Sequence, residues 1–172
     1  MVQQLILLGI LLSGKTHGYR LNEYVIHAMD LYTDNKKSTV YYTLEKLEKD
    51  GYVQHETERE GMRPERRVYQ ITEEGKSYFL KLLCDNLGGF RRTYFNDDIG
   101  IAFMDKLSTQ EVRELLEKKR IMTQSALKQF KEVPDHGGNW QYVITHNVAH
   151  LEADLTWINS ITSELDKKGD KN

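Results

Sequence analysis

Two groups of side chains in this 172-residue chain have the types and spacing to meet a polyanion. The first is Lys36, Lys37, Ser38, Thr39, Tyr41 and Tyr42, with Lys46 one turn further on. Cations and hydroxyls gathered where a helix begins suit phosphate oxygens and base edges. The first turn of a helix has unpaired N–H groups and carries the positive end of the dipole. The second group lies between Glu58 and Arg67, where Arg59, Arg63, Arg66 and Arg67 stand with no lysine among them. Arginine presents a planar fork that holds a phosphate through two N–H groups. A hairpin tip so equipped can lie along a phosphate backbone or enter a minor groove. Each group also has a plainer reading, as a solvated helix face and a solvated hairpin.

Other chemistry is thinner. His146 and His150 are four apart, with Asp154 four further on, a spacing that can hold zinc on one helix face. The plainer reading is a polar stripe, since no cysteine or fourth ligand accompanies them, and no metal is assigned. The single cysteine, Cys84, rules out an internal disulfide framework and, following Leu82-Leu83, reads as a small core residue. No phosphate-binding glycine loop or nucleophile elbow is present, so neither an enzyme nor a cofactor is expected. Asp97-Asp98 read as a helix cap. Aromatics gather in the C-terminal part. Tyr94, Phe103, Trp140 and Trp157, beside Phe95, Phe130 and Tyr142, are candidates to line a pocket for a flat aromatic effector, or are simply core.

The elements that must place these groups follow from periodicity. In Ser38–Val53, Val40, Leu44 and Leu47 recur at i, i+4 and i+7, which makes a short helix with one apolar face. Ser38 caps it and Gly51 stops it. Residues 3–13 are apolar nearly all round and form a buried helix or a subunit contact. Thr16-His17-Gly18 read as a turn. Tyr19, Leu21, Val25 and Met29 mark a second helix, and Asp34-Asn35 a loop. Three helices, the third opening on hydroxyls, outline a helix-turn-helix. Residues 52–57 and 66–72 then read as a hairpin with a tip at Gly61 and Pro64. Thr72 begins a helix that runs to about Asn86, and Gly88-Gly89 break it.

Beyond that break, residues 91–106 look helical in their second half. Ser108 and Glu111 form a capping box for a helix to about Lys131. A last helix, from Asn139 to Lys167, carries the stripe Val143, Val148, Leu151, Leu155, Ile158, Ile161 and Leu165. Two antiparallel helices rarely bury such stripes alone, so a partner chain is expected. The architecture is mainly α with a small β-hairpin. A winged helix-turn-helix spans residues 1–86, and a C-terminal antiparallel helical domain for dimerisation and effector binding spans residues 87–172.

Charge limits the nucleic-acid reading. Residues 1–76 carry 11 Lys and Arg against 12 Asp and Glu, and the rest 13 against 14, for a net charge of −2. Binding to DNA must therefore come from local clustering rather than a distributed positive field. No basic region precedes the apolar run Leu5–Leu12, and Lys15 ends it before it can span a membrane. No membrane contact is expected, and the cytoplasm is the expected location.

With these pieces in order, the chain resembles the longer, two-part form of PadR-type transcriptional regulators. The matching residues are His17-Gly18-Tyr19, then Ser38-Thr39-Val40-Tyr41 with Leu44, Lys46-Leu47-Glu48 and Asp50-Gly51. The wing matches from Glu58 through Arg67-Val68-Tyr69 into Ile71-Thr72-Glu73-Glu74-Gly75. The family's frequent proline after the recognition-helix tyrosine is Tyr42 here, and its wing tip appears as Gly61-Met62-Arg63-Pro64. Over residues 4–80 the likeness is specific. Further on, the helix start at Leu107–Glu111 and the stretch His150–Trp157 are similar to the family's C-terminal helices.

The resemblance implies a homodimeric winged-helix protein that binds double-stranded operator DNA, commonly a repressor released by a small molecule. It places Ser38, Thr39, Tyr41, Tyr42 and Lys46 at bases or phosphates, and Lys36, Lys37, Arg63, Arg66 and Arg67 at phosphates. Two other readings stand beside it: a metal-responsive regulator using His146 and His150, and a winged helix used only for protein contact.

Overall fold

The computed structural model describes residues 1–28, 39–59, 65–134 and 137–169. Lys36, Lys37, Ser38 and Arg63, the Asp34-Asn35 loop and the Gly61–Pro64 tip lie outside the described residues. The chain divides into two compact units, Met1–Arg92 and Thr93–Asn172.

The first unit is built on three helices and a small sheet. Helix α1 (Val2–Leu11) buries Leu7, Leu8 and Leu11. Helix α2 (Gly18–Glu23) passes into a π-helical turn, Tyr24–Ala28. Helix α3 (Thr39–Lys49) points Val40, Leu44 and Leu47 into the core, all of them fully buried. Those three anchors stabilise the unit by roughly 2 kcal/mol each. The stop after α3 is the one the sequence predicts. Gly51 has φ 79°, its N–H donates to Glu48 O at 2.9 Å, and Tyr52 N–H reaches back to Leu47 O at 2.8 Å. That left-handed turn satisfies two orphan carbonyls and sends the chain into the sheet.

The sheet is larger than the expected hairpin. Strands β2 (Val53–Glu58) and β3 (Arg66–Ile71) pair antiparallel, with His55 opposite Tyr69 and Glu58 opposite Arg66. Residues Thr16–His17, read from sequence as a turn, form a strand, β1, on the other edge of β3. The order is β1-β3-β2. This pairing ties the start of α2 to the wing. Tyr69 and Ile71 face the core shared with α1 and α3.

Thr72 caps helix α4 (Glu73–Gly88) through a bond from Gly75 N–H to its Oγ1 at 3.0 Å. Helix α4 turns Leu82 inward against α1, with Tyr78 and Phe79 partly covered. Cys84 is exposed, which corrects the reading of it as a core residue. Two residues advance a helix by about 200°, so once Leu82 faces in, Cys84 must face out.

The second unit is a helical hairpin with a short helical prelude. Helix α5 (Asp97–Ala102) and a 3₁₀ turn (Met104–Lys106) precede α6 (Thr109–Glu132) and α7 (Gly138–Gly169). The Ser108–Glu111 capping box is complete. Its bonds to Ser108 hold the Glu111 carboxyl below its ordinary value. The Asp97-Asp98 cap does not form. Asn96 occupies the cap position without a side-chain bond, and Asp97 pairs instead with Lys119 Nζ at 2.6 Å. Helices α6 and α7 bury Val112, Leu116 and Ile158 between them, with Ile101, Met104, Trp157, Ile161 and Leu165 packed around.

Candidate nucleic-acid interface and C-terminal groove

The helical period of α3 separates its two faces. With Val40, Leu44 and Leu47 inward, Tyr41, Tyr42 and Lys46 are left in solvent. Tyr42 is 68% exposed and Tyr41 48%. Thr39 opens the helix. Thr43 is buried and donates to Gln3 Oε1 at 2.9 Å, which fixes the roll of α3 against α1. The face that meets solvent is therefore set by packing and not by chance.

Beside α3 lies a cleft lined by Gly18, Tyr19, Tyr41, Glu65, Arg66, Arg67 and Tyr69. Strand alternation sends the two arginines to opposite faces. Arg67 shares its face with Tyr69 and Ile71. Its guanidinium hydrogen-bonds the Tyr69 side chain, which, with the charges of Tyr69, Glu48 and Glu45, raises its pKa above the ordinary arginine value. Glu48 in turn contacts His55 Nδ1 at 2.5 Å. Arg66 lies over the Tyr19 ring, 5.7 Å from its centroid. Tyr19 stacks on His17, and Arg20 Nε donates to its hydroxyl at 3.3 Å.

Tyr19 was grouped by sequence with the apolar series of α2, but it is 40% exposed, while Leu21 and Val25 are buried. The sequence reading thus missed Tyr19 and Arg20 as members of this surface. The signal lay in an aromatic directly followed by an arginine at a helix start.

In the second unit a groove of about 930 Å³ runs along α6, lined by Tyr94, Phe95, Leu115, Lys118, Lys119, Met122 and Trp157 among others. Tyr94 and Trp157 are thus brought together, whereas Phe103 and Trp140 do not line it. Lys119 Nζ sits 5.4 Å from the Trp157 ring centroid and holds the Asp97 carboxyl below its ordinary range, by hydrogen bond first and charge second. His146 and His150 touch edge to face, their ring centroids 5.2 Å apart. Among the described residues no group of three His, Cys, Asp or Glu side chains is placed to hold a metal ion. The His146, His150 and Asp154 spacing therefore does not close into a ligand set.

Helices packed so that the third shows its polar face beside an antiparallel wing make a winged helix-turn-helix, the architecture of a class of DNA-binding regulators. The model of the Transcriptional regulator PadR-like family matches residues 7–81 of this chain.

The negative transcriptional regulator PadR of Bacillus subtilis (strain 168) is 23% identical over 177 residues, covering 94% of this chain and 96% of that protein. The structure of Bacillus subtilis PadR in complex with operator DNA superposes with a TM-score of 0.79 at 21% identity, covering 96% of this chain and 99% of that one. The same protein in complex with p-coumaric acid gives 0.77 at 19% identity, with the same coverage. These likenesses share the whole two-part fold, mainly helical with a small antiparallel sheet. No helix among the described residues is long and apolar enough to cross a membrane.

Proposed function

We propose that the chain is a cytoplasmic, non-enzymatic, DNA-binding repressor that acts as a homodimer and is released by a small aromatic molecule. Residues 1–86 bind the operator, and residues 87–172 carry dimerisation and effector control. The observation that carries this reading is the solvent face of α3, where Tyr41, Tyr42 and Lys46 stand clear of the core beside the Arg66 wing base. Thr39, which opens α3, and Lys36, Lys37, Ser38 and Arg63, by their place in the sequence, are further proposed contacts to DNA.

Two copies set their α3 helices in successive major grooves, about 34–36 Å apart. Support comes from the relative solved with operator DNA at the same fold. Selection of bound duplexes from random sequence will return a two-fold-symmetric site of that spacing. If the purified protein ignores every duplex at low ionic strength, the winged helix is a protein-contact module and this reading fails.

The effector reading rests on the α6 groove. An aromatic acid there places its ring against Trp157 and its carboxylate near Lys118 or Lys119. A relative with this fold has been solved with p-coumaric acid. Leu115 and Met122, exposed on α6, line this groove and are also where two copies are proposed to meet, so a ligand in it can bias that contact. Titration with p-coumaric acid will quench Trp157 fluorescence and weaken operator binding together. Lys118→Gln will raise the half-saturating concentration about tenfold, the loss of one charge-assisted bond, since Lys119 is already paired with Asp97. Quenching that leaves operator affinity unchanged ends the idea of effector control.

A further inference from the structure

The two arginines at the base of the wing are neighbours in sequence, yet they are held in different ways. Arg67 lies on the sheet face toward α3. It is bonded to the Tyr69 side chain in the field of Glu45 and Glu48, acids of α3 itself. Glu48 also holds His55 of β2, the residue that pairs with Tyr69 across the sheet. Arg67 thus belongs to a set of side chains from α3, β2 and β3 that fastens the wing to the recognition helix. Arg66 lies on the other face. Among the described residues no carboxylate forms an ion pair with it, although Glu58 is its cross-strand partner and Glu65 lines the same cleft, and its closest support is aromatic. Its guanidinium carbon stands over Tyr19, which is backed by His17 and held at its hydroxyl by Arg20.

A guanidinium stacked on a ring keeps its N–H edge outward in a fixed plane. Ordering a long side chain on binding costs entropy, and here much of that ordering is already present. The ring itself cannot drift, because β1 ties the start of α2 to β3 with His17 opposite Val68. The strand missed in the sequence is what brings Tyr19 under Arg66.

We infer that Arg66, Tyr19 and Arg20 form a preset clamp for a DNA backbone phosphate at the edge of α3. This rests on the DNA-binding reading and refines it, since sequence alone treats the two arginines alike. The clamp takes a phosphate diester, because a stacked fork with a second cation alongside presents charge and N–H groups to oxygen and no base-reading edge.

The test is binding of a selected operator duplex, followed by anisotropy across a salt series, with melting recorded for each variant. Arg66→Ala will weaken binding about tenfold and lower the log–log salt slope by about one. Arg66→Lys will keep the slope and still lose several-fold, because an ammonium does not hold a stacked plane. Tyr19→Leu, which keeps apolar bulk without the ring, will lose affinity in the wild-type background and nothing further beside Arg66→Ala. Tyr19→Phe keeps the ring but frees Arg20 from the hydroxyl, and will lose less than Tyr19→Leu.

Three results overturn the clamp: Arg66→Lys equal to wild type, additive losses for Tyr19→Leu and Arg66→Ala, or Tyr19→Phe losing as much as Tyr19→Leu. A wild-type protein that binds no duplex removes the DNA-binding reading and the clamp with it. Any of the three in a protein that binds its operator removes the clamp alone.

Discussion

Gly75→Ala will destabilise the N-terminal unit by about 2 kcal/mol, against the usual direction of a glycine-to-alanine change in a helix. Helix propensity alone favours alanine by about 1 kcal/mol. Packing opposes it. A Cβ at position 75 stands 2.0 Å from the Tyr52 carbonyl oxygen and 2.8 Å from Ile71 Cγ1. The first contact is backbone and cannot rotate away, so α4 or the turn after α3 must move. Both are fastened there. Thr72 N–H donates to Tyr52 O at 3.1 Å, and Thr72 Oγ1 donates to Gly51 O at 2.8 Å while accepting from Gly75 N–H. Overpacking of this kind costs about 1–3 kcal/mol, and loss of the Thr72 cap adds about 1 kcal/mol. Thermal unfolding will show a drop in Tm on the order of 10 °C. Gly88→Ala is the control, since a Cβ there meets nothing within 4 Å. It will be neutral or slightly stabilising. A Gly75→Ala protein that melts with wild type would show that the approach of α4 to Tyr52 is looser than described.

That close approach explains what could be read from sequence and what could not. Periodicity found α3 because its three anchors repeat within one helix, and the Gly51 stop because it is chemistry local to one residue. Thr72 was legible for the same reason. Strand β1 was not. Two residues carry no alternation, and Thr16–His17 are a strand only because β3 lies beside them. Cys84 was misplaced by its apolar neighbours, because the inward face of α4 is decided by α1 and the sequence of α4 alone does not say which face that is. Asp97 looked like a cap until Lys119, on another helix, took its carboxylate.

The candidate interface divides along the same line. Tyr41, Tyr42 and Lys46 follow from the wheel of α3, so their exposure could be anticipated. Arg66 and Arg67 were indistinguishable as letters. Their difference arises from strand alternation combined with what stands on each side, a tyrosine from α2 for one and acids from α3 for the other. Tyr19 counted as apolar in a helical pattern, and only the β1–β3 pairing shows that it borders the wing. Contacts within one element are written in the sequence. Contacts between elements require the fold.

The largest effect on DNA binding is expected from the second unit. Leu115→Glu combined with Met122→Glu will convert the dimer to a monomer and weaken operator binding by about a hundredfold or more. The two residues are seven apart, on one face of α6, and 56% and 64% exposed in the single chain. Their neighbours Val112 and Leu116 are buried against Ile158. Apolar side chains at this interval, uncovered beside a covered stripe, are what a second helical pair would seat. Glutamates there place two carboxylates in the contact, which costs association far more than it costs the folded chain. Exposed positions tolerate such changes within about 0.5 kcal/mol, so the melting of the monomer will stay close to wild type. The loss at the operator arises because linkage of two half-site contacts multiplies affinity by about 10² to 10⁴. Binding to a duplex carrying one half-site will be unchanged, which separates lost linkage from a damaged recognition surface. Sedimentation decides the matter. A double variant that remains dimeric at micromolar concentration moves the interface elsewhere, and the outward face of α4 is then the next to test, where Leu80, Cys84 and Leu87 are uncovered.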